Sequence, residues 1–317
     1  MKKFFASKAF PFIYGAILTA FTLFVVLDAF VIPRSYASAS ASESSSAQTV
    51  QTSSSSGSSS GSSGTASTLS SSAATTTDTS YSDGNITIKI TTDRVDGTTV
   101  YVADIQVTSV EYLKAALAGS TYGKNVTAVT SSIASSNNAI LAINGDYYGA
   151  RDSGYVVRNG TLYRSDSAGS DQEDLVVYSD GSFDIVNEGD VTAEELVQNG
   201  AWQVFSFGPG LIDGGELTVS ADSEVGRSMT SNPRTAIGEI SPLHYVMVVA
   251  DGRTSESTGL SLYQLAEYMQ SLGVQTAYNL DGGGSSTMYW NGQVINNPTT
   301  TGNSIKERKV SDIVYIG

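Results

Sequence analysis

The chain has 317 residues, a formal net charge of −14 and a pI near 4.4. That acidity excludes nucleic acid as a partner, which needs a basic surface, and admits an anionic substrate only where arginines gather locally. There is no cysteine and a single histidine, His244, so disulfides, zinc–thiolate centres, thiol catalysis and multi-histidine metal sites are all removed.

Lys2, Lys3 and Lys8 precede an apolar run from Ala9 to Ile32, broken near its end by Asp28. Its uninterrupted part, Ala9 to Leu27, has the length of a bilayer-crossing helix, and the preceding lysines place the N-terminus in the cytoplasm. Residues 1–36 are therefore expected to form a cytoplasmic tip and a single-pass membrane anchor, with the rest of the chain outside the cell. A signal peptide cleaved near Tyr36-Ala37-Ser38-Ala39 is the competing reading, and a buried core helix is a third. Residues 37–80 are almost entirely Ser, Ala, Thr and Gly. Such a segment cannot bury enough apolar surface to order itself. It reads as a disordered stalk of about 35–40 Å mean reach that holds a domain off the membrane.

From Tyr81 onward the aromatic and β-branched residues return, and 81–317 reads as one domain. ITIKI (86–90) and VYVADIQV (100–107) alternate as strands. VEYLKAALAG (110–119) has helical spacing, and 125–138 suggests a second helix. AILAIN (139–144) is a short buried strand. YVVRNGTLYR (155–164) and DLVVYSDGSFDIV (174–186) read as hairpins turning at Asn159-Gly160 and Asp180-Gly181. TAEELVQNG (192–200) is a short helix. WQVFSF (202–207), RTAIGEI (234–240) and HYVMVVAD (244–251) are strand-like. Ser261 to Leu272 is a helix opened by a Ser261/Gln264 capping box and stopped by Gly273. VQTAYNL (274–280) is a strand, a last hairpin turns at Asn291-Gly292, and VSDIVYIG closes the sheet. The expected fold is α+β, a mixed and mostly antiparallel sheet with a few packed helices.

Four segments carry candidate chemistry. NLDGGGSS (279–286) is a glycine-rich loop between strands. The helix and Gly-Lys-Ser/Thr of a Walker loop are missing, as is the helix of a dinucleotide fingerprint, so the loop is read as a backbone anion nest or a tight turn. INGDYYG (143–149) delivers Asn144, Gly145 and Asp146 from a strand end beside paired tyrosines, which suits a sugar. NPRTAIG (232–238) and ADGR (250–253) each present an arginine at a strand end, Arg234 and Arg253, able to grip phosphate. Taken singly, each arginine, and Arg308 in KERKVSD, reads as a surface ion pair.

Together NGDYY, PRTAIG, DGR, SLYQLAEYMQSLG, AYNLDGGGSSTMYWNGQVINNP and ERKVSDIVYI resemble the phosphodiester glycosidase family, from about Ala139 to the C-terminus. The family pattern commonly has a second glycine where this chain has Asp146. The resemblance implies hydrolysis of the bond between a sugar's anomeric carbon and a phosphodiester. Such chemistry needs cations on the departing phosphate, a carboxylate at the anomeric carbon and donors that fix the sugar. Asp281 is the first candidate carboxylate, then Asp251, with Asp146 and Glu239 behind. Asn144 and Asn279 would hold hydroxyls. Gly282, Gly283, Gly284, Ser285 and Ser286 would donate to phosphate oxygens, assisted by Arg234, Thr235, Arg253 and Arg308, with Gly145 at the sugar side. No cofactor is required, although Asp281 is also a candidate ligand for a structural calcium ion. The expected partners are a phosphoglycan or sugar-1-phosphodiester substrate and, through the N-terminal helix, the membrane. A serine hydrolase using Ser285 or Ser286 with His244, a non-catalytic module for anionic wall or capsule glycans, and a surface adhesin are the rival readings.

Overall fold

The computed structural model describes residues 10–36, 74–221, 231–302 and 304–317. The lysines of the tip, residues 37–73 of the stalk and the cleavage position at 37–39 lie outside the described residues. A 21-residue helix, Phe10–Phe30, forms on the apolar run. Its large apolar side chains from Ile13 to Leu27 are exposed, which removes the buried-core-helix reading. Among the described residues no helix is long and apolar enough to cross a membrane. Just beyond the helix, Arg34–Ser35 pairs antiparallel with Gly123–Lys124.

Each of the three main sheets turns one face to a shared core and carries one helix on the other. The nine-stranded sheet runs from Glu216–Leu217 through Gly210–Asp213, Thr276–Asn279, Arg234–Ser241, His244–Ala250, Thr98–Val107, Ile86–Val95 and Ser80–Ser82 to Thr75–Thr76. Ile86, Ile88, Ile90, Ile105, Met247 and Val249 face the shared core. Val100, Val102, Val246 and Val248 face the helix Leu262–Ser271, meeting Leu262, Leu265, Ala266 and Met269. His244–Ala250, covered on both faces, reads as a nearly unbroken apolar run, whereas Ile86–Val95 is exposed on its second face and alternates. The second sheet, five-stranded, holds Leu141–Asn144 beside Met288–Trp290 and Asp312–Ile316 and is backed by the helix Thr130–Ser136. The third contains the expected hairpins, Val156–Arg158 with Thr161–Arg164 and Glu173–Tyr178 with Phe183–Asn187, and is backed by Ala193–Gln198. Every pairing within these sheets is antiparallel. The capping box of the Leu262–Ser271 helix is present, with Ser261 and Gln264 bonded reciprocally.

Three expectations are corrected. The segment 110–119 is a 3₁₀ turn, Val110–Tyr112, followed by the strand Leu113–Leu117, which pairs with Asp312–Ile316. Leu113 and Ala115 point to the shared core and Ala116 to the opposite face, so a non-local partner overrides the helical spacing of an alanine-rich stretch. The helix expected over 125–138 shrinks to Thr130–Ser136 because Ala128–Val129 pairs with Lys309–Val310. The folded domain also begins before Tyr81. Thr75–Thr76 joins the nine-stranded sheet, and Trp290 Nε1 donates to the Asp78 carbonyl at 2.8 Å.

Candidate active site

One end of the nine-stranded sheet gathers the motifs. Arg234 pairs with Ala250, and Ala236 with Asn279, so the start of one strand lies between the ends of two others. Asp251 follows the first end directly, and Asp281 lies two residues past the second. The second sheet reaches the same place through Asn144, at the end of Leu141–Asn144. Asn144 is wholly buried and joins the two sheets. Its Nδ2 donates to the Asp281 carbonyl at 2.6 Å, and its Oδ1 accepts from Thr235 Oγ1 at 2.9 Å and from the Thr287 amide at 3.3 Å.

Asp281 is 8% exposed. Its Oδ2 accepts from Ser285 Oγ at 2.6 Å, and Arg308 Nη2 reaches Oδ1 at 3.0 Å and Oδ2 at 2.9 Å. Arg308 Nε also donates to Ser285 Oγ at 2.8 Å, closing a three-residue ring. Burial raises the Asp281 carboxyl above the ordinary aspartate value, opposed by the Arg308 charge and the Ser285 hydrogen bond. Arg253 lies over the glycine loop, where a Cβ on Gly283 would sit 3.0 Å from Nη2. It donates from Nη1 to the Thr300 carbonyl at 2.5 Å and from Nη2 to Asn232 Oδ1 at 3.1 Å. Among the described residues no carboxylate pairs with Arg253. Partial desolvation and the nearby Arg308 charge both lower its pKa, so two cations lie close together at the glycine loop, and among the described residues only Arg308 meets a carboxylate.

The glycines are needed for close approach. Gly283 has φ +61°, and a Cβ on Gly284 would lie 2.2 Å from Thr300 Oγ1. Three of the amides expected to form an anion nest are engaged within the protein. Gly283 N donates to the Pro233 carbonyl at 2.8 Å, Ser285 N to Gly282 and Ser286 N to Gly283, both at 3.2 Å. Ser285 Oγ is likewise occupied. The groups left without a partner are side-chain oxygens: Asn279 Oδ1, Ser286 Oγ and Thr287 Oγ1 are all buried and unbonded. Buried polar atoms are almost always satisfied; a sugar hydroxyl can donate to Asn279 Oδ1, and the two hydroxyls can donate to a sugar or phosphate oxygen.

The other candidates have different surroundings. Asp251 is buried and held by the Asn297 amide at 2.9 Å and by Asn296 Nδ2 at 3.1 Å; burial raises its carboxyl, against those hydrogen bonds. Arg234 is 7% exposed and donates from Nε to the Leu260 carbonyl at 2.9 Å, pointing into the structure. Asp146 is buried in an ion pair with Arg158 at 2.8 Å, and Arg158 also pairs with Asp312 at 2.8 Å. Asp312 is fully buried, has Oδ1 unpartnered and is pushed up to about 8 by burial, with the Arg158 charge opposing. A Cβ on Gly145 would fall 2.3 Å from that Oδ1, so Gly145 gives the carboxylate its room. Glu239 accepts from the Phe183 amide at 2.8 Å, toward the far end of its strand. His244 bonds Asp104 at 3.1 Å and lies at the hairpin turn, where it pairs with Ser241. At about 3.3 Å per residue that turn is roughly 20 Å from the Asp251 end, which removes the serine–histidine reading.

Arg158, Asp312, Asn296 and Thr300 were not singled out from the sequence. Asp312 alone carried a signal, as a charged residue opening an otherwise apolar strand, DIVYI. Among the described residues, no group of three or more His, Cys, Asp or Glu is placed to hold a metal ion.

The phosphodiester glycosidase family model matches residues 137–317, more than half of the chain. The chain belongs to the phosphodiester glycosidase family. SPbeta prophage-derived uncharacterized protein YomE of Bacillus subtilis (strain 168) is 33% identical over 177 residues, covering 52% of this chain and 26% of that protein. Human N-acetylglucosamine-1-phosphodiester alpha-N-acetylglucosaminidase is 42% identical over 66 residues, covering 21% of this chain and 13% of the human protein. This chain thus matches only a minor part of either relative's length. The zebrafish N-acetylglucosamine-1-phosphodiester alpha-N-acetylglucosaminidase catalytic domain, auto-inhibited by its pro-peptide, shares the fold at TM-score 0.58 and 21% identity, over 73% of this chain and 82% of that one.

Proposed function

We propose that this phosphodiester glycosidase cleaves the bond between the anomeric carbon of a sugar and a phosphodiester oxygen, acting on a cell-surface or wall phosphoglycan. The observation that carries the reading is the pairing of a buried carboxylate, Asp281, held by Arg308 and Ser285, with Arg253, a cation paired with no carboxylate among the described residues. The anomeric C–O bond breaks, the oxygen of water takes its place, and the phosphate departs as a monoester with one more negative charge. Arg253 meets that charge, so little proton donation to the leaving group is needed. Asp281 is assigned the carboxylate that stabilises the oxocarbenium-like transition state. Asn279 Oδ1 accepts from a sugar hydroxyl, and the Ser286 and Thr287 hydroxyls donate to sugar or phosphate oxygens. Asp251 and the Asp146–Arg158–Asp312 cluster hold the surrounding loops.

The export reading is supported by the sequence alone, in which Lys2, Lys3 and Lys8 precede the apolar run, the charge bias that keeps an N-terminus in the cytoplasm. The human relative's named activity belongs to the same chemical class.

The test is direct. The full chain, purified in detergent, is incubated with α- and β-linked sugar-1-phosphodiesters, with calcium or with chelator, beside Asp281→Asn. Release of free sugar by the parent and not by the folded variant supports the reading. Glycan binding without release across the panel would replace it with a non-catalytic binding module.

A further inference from the structure

A second polar cleft, of about 280 Å³, opens beside the 3₁₀ turn Tyr148–Ala150. Three tyrosines wall it. The Tyr122 ring lies 5.0 Å from Tyr163 and 5.9 Å from Tyr36, tilted against both. Two arginines supply its charge. Arg164 is 8% exposed, and its bonded donors reach only backbone carbonyls: Nε to Gly154 at 2.6 Å, and Nη1 to Arg151 at 2.7 Å and to Tyr148 at 3.1 Å. Its Nη2 is buried with no partner. Arg151 donates to the Ser206 carbonyl at 3.1 Å and lies over the Phe207 ring at 5.2 Å. Among the described residues neither arginine has a carboxylate within ion-pair distance. Asp152, at the same cleft, is taken by Lys124 at 2.7 Å, and Asp166 is an exposed acceptor.

A guanidinium removed from water without a counter-charge is unfavourable. It is tolerated where a ligand brings the anion. Tyrosine faces stack on sugar rings, a free carboxylate accepts from hydroxyls, and arginine matches phosphate bidentately. The three together fit one sugar unit bearing a phosphate. The cleft is also tied to the glycine-loop site. Tyr148 stacks on Tyr122 at 5.4 Å and donates its amide to Asp146 Oδ1 at 2.9 Å. Asp146 shares Arg158 with Asp312, while Gly145 N donates to the Asp312 carbonyl and Asp281 N to the Gly145 carbonyl.

We propose that this cleft is a second glycan subsite, which takes an anionic sugar unit of an extended phosphoglycan while another unit occupies the glycine loop. The proposal rests on the hydrolase reading only for what happens at the first site, so it is tested by binding. In an Asp281→Asn background, which prevents cleavage, the full chain in detergent is titrated by calorimetry with two probes. One is a single glycosyl-1-phosphodiester, and the other is a tetramer of the same sugar joined by phosphodiesters. The tetramer binds at least about tenfold tighter than the monomer, and Arg151→Gln and Tyr163→Ala each lower that ratio roughly fivefold or more. A tetramer with neutral methylphosphonate links loses its dependence on Arg151. Circular dichroism checks the fold of each variant, and where one fails to fold the other decides. A tetramer that binds no better than the monomer, or a ratio untouched by the folded variants, overturns the proposal. Failure of the parent chain to hydrolyse either probe would count against the hydrolase alone.

Discussion

Arg308 sets the charge state of Asp281, and removing its charge should move the acid limb of the pH–rate profile. Arg308 Nη2 lies 2.9 Å from Asp281 Oδ2, with side-chain exposures of 40% and 11%. At that separation and an effective dielectric of about 20, Coulomb's law gives roughly 5–6 kcal/mol. Arg308 is 40% exposed, and solvent screening leaves about 1 kcal/mol of it. Burial already raises Asp281 and the Arg308 charge opposes that rise. Arg308→Gln keeps a hydrogen-bond donor but lets the carboxyl rise further. Activity that needs ionised Asp281 falls as pH drops through its pKa, so a higher pKa carries the acid limb to higher pH. Arg308→Lys, which keeps the charge, should move it by less. The assay is kcat/KM against pH for a glycosyl-1-phosphodiester. An acid limb identical in the parent and Arg308→Gln would show that Asp281 is not the titrating carboxylate and would sink the assignment.

Arg253→Gln should raise KM for a phosphodiester about ten- to a hundredfold through loss of a charge-assisted contact, with little change in Tm because the residue is exposed; steady-state kinetics and a melting curve check both. Gly284→Ala places a methyl 2.2 Å from Thr300 Oγ1, so it should cost about 1–3 kcal/mol of stability by overpacking and disturb the Thr300 carbonyl that holds Arg253, read by denaturant unfolding and activity. Asp174 is wholly buried with both carboxyl oxygens unpartnered, and burial, reinforced by Glu188, pushes it up to about 9. The folded chain keeps a proton there that the unfolded chain releases above about pH 4. Stability therefore falls as pH rises from about 4 to about 9, by up to about 1.4 kcal/mol per unit from this group. Asp174→Asn should flatten that slope in urea titrations between about pH 5 and about pH 8; an unchanged slope refutes the assignment.

Local chemistry was legible in the chain itself. The turns at Asn159-Gly160, Asp180-Gly181 and Asn291-Gly292, the capping box at Ser261 and the alternating strands depend on residues a few positions apart, and they form as the sequence implies. The motif residues 144, 235 and 281 also meet, because each lies within two residues of a strand end and the strand neighbours bring those ends together. What the sequence by itself did not determine are the matters settled by distant partners. Leu113–Leu117 became a strand because the C-terminal strand pairs with it. The amides of Gly283, Ser285 and Ser286 turned inward to carbonyls. Asp146 and Asp312 were placed on a shared buried Arg158, and Asp281 was matched to an arginine 27 positions away. Spacing along a chain decides turns, caps and period. Burial and charge pairing depend on contacts between residues far apart in sequence, and only the assembled sheets bring those together.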